Sequence, residues 1–227
     1  MAQANNYTIE NFDPEVLREY DIRGVVGENI NENTAYTIGR TFGYTVKSKL
    51  TSHTIVTGYD GRLTSPSLHK ALCEGLKDSG VKVINIGMGP TPMTYFAHYH
   101  FEADAAVMLT GSHNPSEYNG FKMVFNKHSF FAEDIQSLQK LLDNNALELA
   151  DGQIIEQDIT KEYIERDLLN ISLNRKLKVA WDPGNGAMGK VTRKITEKLF
   201  NSENIIINEE VDGNFPNHHP DPTVPKN

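Results

Sequence analysis

The chain has 227 residues, of which 38% are hydrophobic and 23% charged, and its formal net charge is −8 at pH 7. This composition is typical of a globular protein that buries its own core, and it argues against nucleic acid as a partner, because a duplex-binding surface needs clustered Lys and Arg. The longest apolar stretch, Ala105–Leu109, is too short to span a bilayer. The single cysteine, Cys73, cannot form a disulfide within the chain, and Met1–Glu10 is polar, which together predict a cytoplasmic protein with no membrane partner.

Apolar periodicity and turn residues predict alternating helices and strands in the first part of the chain. In chain order these are a helix at Asn31–Lys49, a strand at Thr54–Gly58, a helix with Ser65 as N-cap and Gly80 as C-cap, a strand at Val81–Ile86, a helix at Pro92–His100, a strand at Ala105–Leu109 and a helix at Ala132–Leu142. This alternation indicates a layered α/β/α domain with a mixed sheet, which we assign to residues 1–157.

A second α/β unit is predicted to begin near Asp158. Its elements are a helix at Ile159–Leu169, a strand at Leu177–Trp181, a helix at Ala187–Leu199 and a strand at Asn204–Asn208. Because a two-stranded parallel sheet cannot cover itself, residues 158–227 indicate an incomplete second α/β domain of similar type.

The segment Thr110–Pro115 follows the predicted strand Ala105–Leu109, and it contains a serine. Ligands usually bind at the carboxyl ends of strands in α/β sheets. We expect Gly111 to allow a sharp turn that presents Ser112 on a loop. Taken alone, an ordinary polar turn is the more common interpretation. A hydrolase nucleophile elbow is disfavoured, because positions 110 and 114 hold Thr and Asn rather than Gly.

Cationic side chains near this serine motif are candidates for binding an anion. Lys122 in Asn119–Lys122 is predicted on a loop, where it could neutralise a phosphate or shuttle a proton. Arg23 is predicted to open a loop with Gly24, and arginine is well shaped to bind phosphate oxygens. In Gly58–Arg62 a tight turn is the first interpretation and a site residue the second. Solvated surface positions remain the alternative for these cations.

The segment Gly184–Gly189 matches G-x-G-x-x-G between a predicted strand and a predicted helix. That context is typical of dinucleotide binding, so an NAD(P)-binding or regulatory module is an alternative function. Against it, the acidic candidates Glu209 and Glu210 come somewhat late, and Asp182-Pro183 separates the strand from the glycines. The segment His218–Asp221 could suggest a metal, but adjacent histidines point to opposite sides of an extended chain, so we predict a solvated loop.

Together the motifs occur in an order that resembles the α-D-phosphohexomutase family, in particular its phosphomannomutase/phosphoglucomutase branch. They are Tyr20-Asp21-Ile22-Arg23-Gly24, Tyr59-Asp60-Gly61-Arg62, Pro90-Thr91-Pro92, Thr110-Gly111-Ser112-His113-Asn114-Pro115, Asn119-Gly120-Phe121-Lys122 and Asp182-Pro183-Gly184-Asn185-Gly186. The resemblance covers nearly the whole chain. It also accounts for the glycine loop, because the family carries a similar loop at the start of its second domain without binding a dinucleotide.

The resemblance implies an isomerase that interconverts hexose 6-phosphate and hexose 1-phosphate through a hexose 1,6-bisphosphate intermediate. Ser112 would be the phosphoserine, with a charge of about −1.5 to −2, and Mg²⁺ would bind through its phosphate. The implied catalytic residues are Ser112, Lys122, Arg23 and His113, with Lys122 a general acid/base. The implied substrate-binding residues are Tyr20, Arg23, Lys122 and Asn114.

The sequence departs from the family in one respect. The family's metal loop is a D-G-D-G-D-R run in its second domain, and no such run occurs here. The sugar-recognition loop of the third family domain and the phosphate-binding loop of the fourth are also absent. We therefore expect the chain to be the N-terminal part of such an enzyme, inactive alone.

Overall fold

A seven-stranded mixed sheet organises the first part of the chain. The computed structural model describes residues 6–144 and 147–226, so the start of the polar segment Met1–Glu10 and the last residue lie outside the described residues. The strands of this sheet are β1 (Ile22–Val25), β2 (Thr54–Tyr59), β3 (Lys82–Met88), β4 (Ala105–Leu109), β5 (Tyr118–Phe125), β6 (His128–Phe130) and β7 (Gln153–Glu156). Their spatial order is β1-β5-β4-β2-β3-β7, with β6 paired to β5. Strands β4, β2, β3 and β7 run parallel, and β5 runs antiparallel to both β4 and β1.

Helices cover both faces of this sheet. They are α1 (Glu32–Lys49), α2 (Ser65–Lys77), α3 (Thr91–His100) and α4 (Glu133–Asp143), and a short 3-10 helix lies at Pro14–Val16. Neighbouring residues of β2 point into different cores: Ile55 packs with α1, α2 and α4, whereas Val56 packs with α3. The predicted α/β/α fold with a mixed sheet is confirmed.

The predictions for regular, strongly periodic elements are confirmed with small shifts. Helix α1 follows Asn31, which forms a capping box with Thr34, and β4 has the predicted bounds. The predicted caps of α2, Ser65 and Gly80, are both wrong, and the C-cap is Asp78. Its N-cap is Thr64, and Ser65 is the first helical residue, because its hydroxyl donates to Asp60 at 2.6 Å instead of capping the helix.

Strands β1 and β5 are absent from the sequence prediction, and they correct it. Arg23 and Lys122 lie on these strands rather than on loops. Glycines and charged residues interrupt the apolar alternation of both segments, which hides their extended conformation. Pairing between the strands, with Arg23 opposite Gly120, supplies the hydrogen bonds that fix them.

The second unit contains two parallel strands and two helices. These are α5 (Thr160–Leu168), β8 (Leu177–Trp181), α6 (Gly189–Lys198) and β9 (Ser202–Ile206). Ile159, Tyr163 and Val191 are buried in the same core as α3, so the second unit packs directly on the first. The boundary between residues 157 and 158 stays a prediction. No helix among the described residues is long and apolar enough to cross a membrane.

Candidate active site

Ser112 lies on a turn directly after β4, as predicted, and it is half-buried. Its φ of +56° is in the left-handed region, which is uncommon for a residue other than glycine. Thr110 holds the turn, since its hydroxyl donates to Asp60 at 2.8 Å and accepts from the Ser112 amide at 2.9 Å. No group among the described residues hydrogen-bonds the Ser112 hydroxyl, which leaves it free for a ligand.

The role expected for Gly111 needs correction. The left-handed residue is Ser112, and Gly111 is not among the residues with positive φ in the described ranges. A Cβ at Gly111 would lie 2.4 Å from Cζ and Nε of Arg62. Glycine is therefore required there because the Arg62 side chain approaches the backbone closely.

Arg62 lies beneath the Ser112 loop, and its side chain is 1% exposed. Its guanidinium donates to the carbonyl oxygens of Ser112 at 2.9 Å, Asn114 at 2.8 Å and Tyr118 at 3.0 Å. It also donates to the Pro115 carbonyl and, at 3.1 Å, to the Asp60 carboxylate. Burial lowers the pKa of Arg62, and the neighbouring Asp60 opposes that shift.

The location of Arg62 follows from the topology, which the sequence prediction did not use. Strands β2 and β4 are parallel neighbours, with Tyr59 paired to Leu109, so the turns after them meet at the same edge of the sheet. The Gly58–Arg62 pattern indicates a tight turn before it indicates a site residue, whereas in the structure Arg62 hydrogen-bonds four carbonyls of the serine segment and the Asp60 carboxylate.

Asp21 joins the two predicted cations. Its Oδ2 accepts from the Arg23 guanidinium and, at 3.1 Å, from the Lys122 ammonium, and its side chain is 8% exposed. The sequence indicates Asp21 only as part of the motif Tyr20–Gly24, because nothing in its spacing shows that it faces a lysine on another strand.

The strand register brings this cationic cluster towards the serine loop. Gly120 pairs with Arg23 on one side, and on the other its carbonyl accepts from the Thr110 amide at 2.9 Å. Arg23 is thus level with Thr110 and two strand spacings away, a distance of about 10 Å. No hydrogen bond or ion pair among the described residues joins Ser112 to Arg23 or Lys122.

The other predicted site residues lie around this edge of the sheet. Tyr20 is 71% exposed and, with Lys122 and Tyr95, lines a cavity of about 340 Å³. His113 is exposed. The Asn114 amide donates to the Gly111 carbonyl at 2.9 Å, so in this conformation it closes its own turn. Tyr20 is therefore near the cations, and His113 is near Ser112.

A second cavity, of about 370 Å³, lies between the two units. Ser112 and His113 line it from the first unit, and Asp182, Gly184 and His218 line it from the second. The serine loop therefore borders a cavity that both units line.

The segment His218–Asp221 is a loop with His219 exposed, as predicted, and only His218 departs from the prediction of a solvated loop. His218 is half-buried, with Nε2 2.9 Å from the Asp182 carboxylate and Nδ1 2.9 Å from the His219 carbonyl. Both contacts favour the doubly protonated ring, and they raise the pKa of His218, the His219 carbonyl contributing most.

Family models match both units of the chain. The domain I model, described as phosphoglucomutase/phosphomannomutase, alpha/beta/alpha domain I, matches residues 14–148, and the corresponding domain II model matches residues 161–227. The chain belongs to the phosphoglucomutase/phosphomannomutase family. The predicted resemblance is confirmed.

Curated members of the family are similar over most of this chain. A phosphomannomutase/phosphoglucomutase from Pseudomonas putida is 45% identical over 212 residues, which are 93% of this chain and 45% of that protein. A phosphoglucomutase from Neisseria gonorrhoeae is 40% identical over 215 residues, or 94% of this chain and 46% of that protein. The chain spans about half the length of the curated relatives it matches.

Solved structures agree with this assignment. A phosphoglucomutase/phosphomannomutase family protein from Burkholderia thailandensis is 38% identical, with a TM-score of 0.88 over 95% of this chain and 48% of that chain. A second solved chain, from Thermus thermophilus, is 23% identical with a TM-score of 0.80 over 96% of this chain and 50% of that chain, and it supports the fold alone.

The described residues around Ser112 do not form a complete magnesium site. Within residues 6–144 and 147–226, no group of three or more His, Cys, Asp and Glu side chains could hold a metal ion. The carboxylates that line the same cavity as Ser112 are already engaged, Asp60 by Arg62 and Asp182 by His218. The expectation that Mg²⁺ binds through a phosphate on Ser112 stays a prediction.

The glycine loop at Gly184–Gly189 lines the cavity between the two units with Gly184 and Gly186, and its last residue, Gly189, packs against the backbone. Asn217 donates to the Asn185 side chain at 2.8 Å, and a Cβ at Gly189 would lie 1.9 Å from the Glu209 carbonyl. Gly189 thus allows the start of α6 to pack closely on the Glu209 backbone. The NAD(P)-binding alternative stays untested.

Proposed function

We propose that this chain carries the phosphoserine of a phosphohexomutase, which interconverts hexose 6-phosphate and hexose 1-phosphate through a hexose 1,6-bisphosphate. The observation that supports it most is the conformation of Ser112. The residue is left-handed, its loop is held by hydrogen bonds from Arg62 and to Thr110, and it lines a cavity between the two units. Strained backbone held in this way is typical of functional sites.

The proposed chemistry is two phosphoryl transfers that share this serine. The bond between phosphorus and Ser112 Oγ breaks as a bond to a sugar hydroxyl oxygen forms. The sugar hydroxyl proton leaves to a base, and an acid gives a proton to Ser112 Oγ. The bisphosphate then turns over in the cavity and returns its other phosphoryl group to Ser112, whose proton moves to the sugar oxygen. Such transfers depend mainly on positioning and on stabilising charge.

We assign the charge stabilisation to Arg23 and Lys122. Their side chains are 16% and 29% exposed and share the Asp21 carboxylate, so both are held in place while one edge of each remains accessible. A lysine ammonium in this position can also give a proton to a leaving sugar oxygen. Tyr20, His113 and Asn114 complete the proposed substrate contacts.

Phosphate transfer to the serine is the experiment that tests this function. The chain is incubated with glucose 1,6-bisphosphate and followed by intact-mass spectrometry. We expect one added phosphate on the wild-type chain and none on Ser112→Ala, while Ser116→Ala, four residues further along the same segment, behaves as wild type. A phosphate that persists in Ser112→Ala would contradict the assignment. Conversion of mannose 1-phosphate by this chain alone, which we expect to be negligible, is measured in parallel.

A further inference from the structure

The Arg62 guanidinium has no donor left for a ligand. An arginine side chain has five N–H donors. Nε bonds to Asp60, Nη1 bonds to the carbonyls of Pro115 and Tyr118, and Nη2 bonds to the carbonyls of Ser112 and Asn114. All five donors are therefore used inside the protein, and four of them hold the segment that contains Ser112.

We propose that Arg62 is a positioning residue for phosphoryl transfer: it fixes the backbone of Ser112 so that the hydroxyl stays at the wall of the cavity between the two units. This proposal rests on the function proposed above, and it gives Arg62 a role in which its guanidinium does not contact the substrate. A left-handed conformation costs a non-glycine residue free energy, which hydrogen bonds from its surroundings can offset. Arg62 and the Thr110 hydroxyl are the groups that do so here.

The surroundings of Arg62 are built for this contact. Gly111 leaves the space that the guanidinium occupies, since a Cβ there would overlap Cζ. On another side, the Phe215 ring of the second unit lies 5.2 Å from Cζ and shields the guanidinium from water. Hydrogen bonds from a charged donor are stronger where water is excluded.

Arg40 provides a matched control in the same unit. It is also a buried arginine, and its guanidinium donates to the carbonyls of Leu147 and Glu148 at 3.1 and 2.9 Å and lies 5.9 Å from the Tyr36 ring. Replacing either arginine with lysine keeps the charge and loses the planar set of donors. Only the change at residue 62 affects the serine loop directly.

The experiment compares Arg62→Lys with Arg40→Lys in the full chain. Amide hydrogen exchange is followed in the peptide that spans residues 110–118, and phosphate transfer from glucose 1,6-bisphosphate is followed by intact mass. For Arg62→Lys we expect amide exchange in this peptide to be about tenfold faster than in wild type, because the loop loses hydrogen bonds to a charged group. We expect transfer to Ser112 to be about 10²-fold slower, as for a reacting group displaced by 1 Å. For Arg40→Lys both rates should stay within about twofold of wild type, although thermal stability falls.

The outcomes separate this proposal from the proposed function. Equal exchange in the two variants, or normal transfer by Arg62→Lys despite a loosened loop, would overturn the role of Arg62. A wild-type chain that takes no phosphate would overturn the transfer proposal, and the exchange comparison would still decide whether Arg62 holds the loop. If Arg62→Lys does not fold, Gly111→Ala serves instead, because its Cβ would displace the guanidinium, and it should give the same faster exchange and slower transfer.

Discussion

The two units of the chain differ in how deeply they bury their strands. Every residue of β4 is buried, whereas β8 alternates between half-buried and exposed residues along its length. The first unit has helices on both faces of its sheet. In the second, Phe200 and Ile205 are 86% and 62% exposed.

Left-handed non-glycine residues occur in both units, for example Ser112 in the first and Phe215 in the second, so the difference between the units lies in how firmly their surroundings are packed. A left-handed serine and a fully bonded buried arginine need surroundings that do not yield, and the closely packed first unit provides them. The second unit supplies loop residues instead, such as Gly184 and His218, which line the cavity on the side opposite Ser112. Substitutions in the first unit should therefore cost much more stability than matched substitutions in the second.

The largest difference is expected for phenylalanine. Phe42 is fully buried and packs edge-on against Phe130, with ring centroids 5.2 Å apart. Phe42→Ala should lower the free energy of unfolding by about 3–5 kcal/mol, measured by urea denaturation with circular dichroism. Phe200→Ala, in the second unit, should change it by less than about 0.5 kcal/mol. Similar losses for both variants would remove the contrast between the units.

A smaller difference is expected in the response to acid. Burial lowers the pKa of His69 in the first unit to about 4, from an ordinary value of 6.5. Below pH 6.5 the unfolded chain binds a proton at this histidine that the folded chain does not, so stability falls between pH 6.5 and 4. The expected loss is about 3 kcal/mol. Urea denaturation from pH 6.5 to 4 should show that the free energy of unfolding falls by about 3 kcal/mol less in His69→Asn than in wild type.

His218 in the second unit should respond with the opposite sign. Its pKa is raised by the His219 carbonyl and the Asp182 carboxylate. The stabilisation it contributes is therefore complete below pH 6.5 and is lost as the pH rises through the pKa of the folded state. His218→Gln should remove this dependence on pH. At low pH, where wild type has the stabilisation, proteolysis of residues 216–222 should be faster in the variant than in wild type. Equal pH profiles for the two proteins would contradict the proposed pairing.

These contrasts also explain what the sequence could predict. The elements α1 and β4 have regular apolar patterns and clear end signals, so their bounds were predicted almost to the residue. The strands β1 and β5 were missed because Arg23 and Lys122, the residues proposed to act there, interrupt the pattern that identifies a strand. Local sequence rules are expected to fail at functional positions.

Within the site, the sequence predicted the serine loop and its cations but not what holds them. Asp21 and Arg62 are charged and buried, and a charged residue is expected at the surface until its partners are known. Those partners come from other strands and turns, so only the tertiary structure identifies them.

The smallest effect in this series is expected at two aspartates. In the first unit, Asp21→Asn leaves Arg23 and Lys122 without the carboxylate they share, close together and largely buried. Stability should fall by about 2 kcal/mol, the value for hydrogen bonds to charged groups. Phosphate transfer to Ser112 should fall as well, because the two cations lose their fixed positions.

In the second unit, Asp182 is 31% exposed and also accepts from Asn208 and the Gly184 amide. Asp182→Asn keeps an oxygen for those donors, so its loss should stay below about 1 kcal/mol. Urea denaturation of both variants, each beside its alanine counterpart, measures the difference, and a larger loss for Asp182→Asn would show that the second unit depends on its surface pairs more than its exposure indicates.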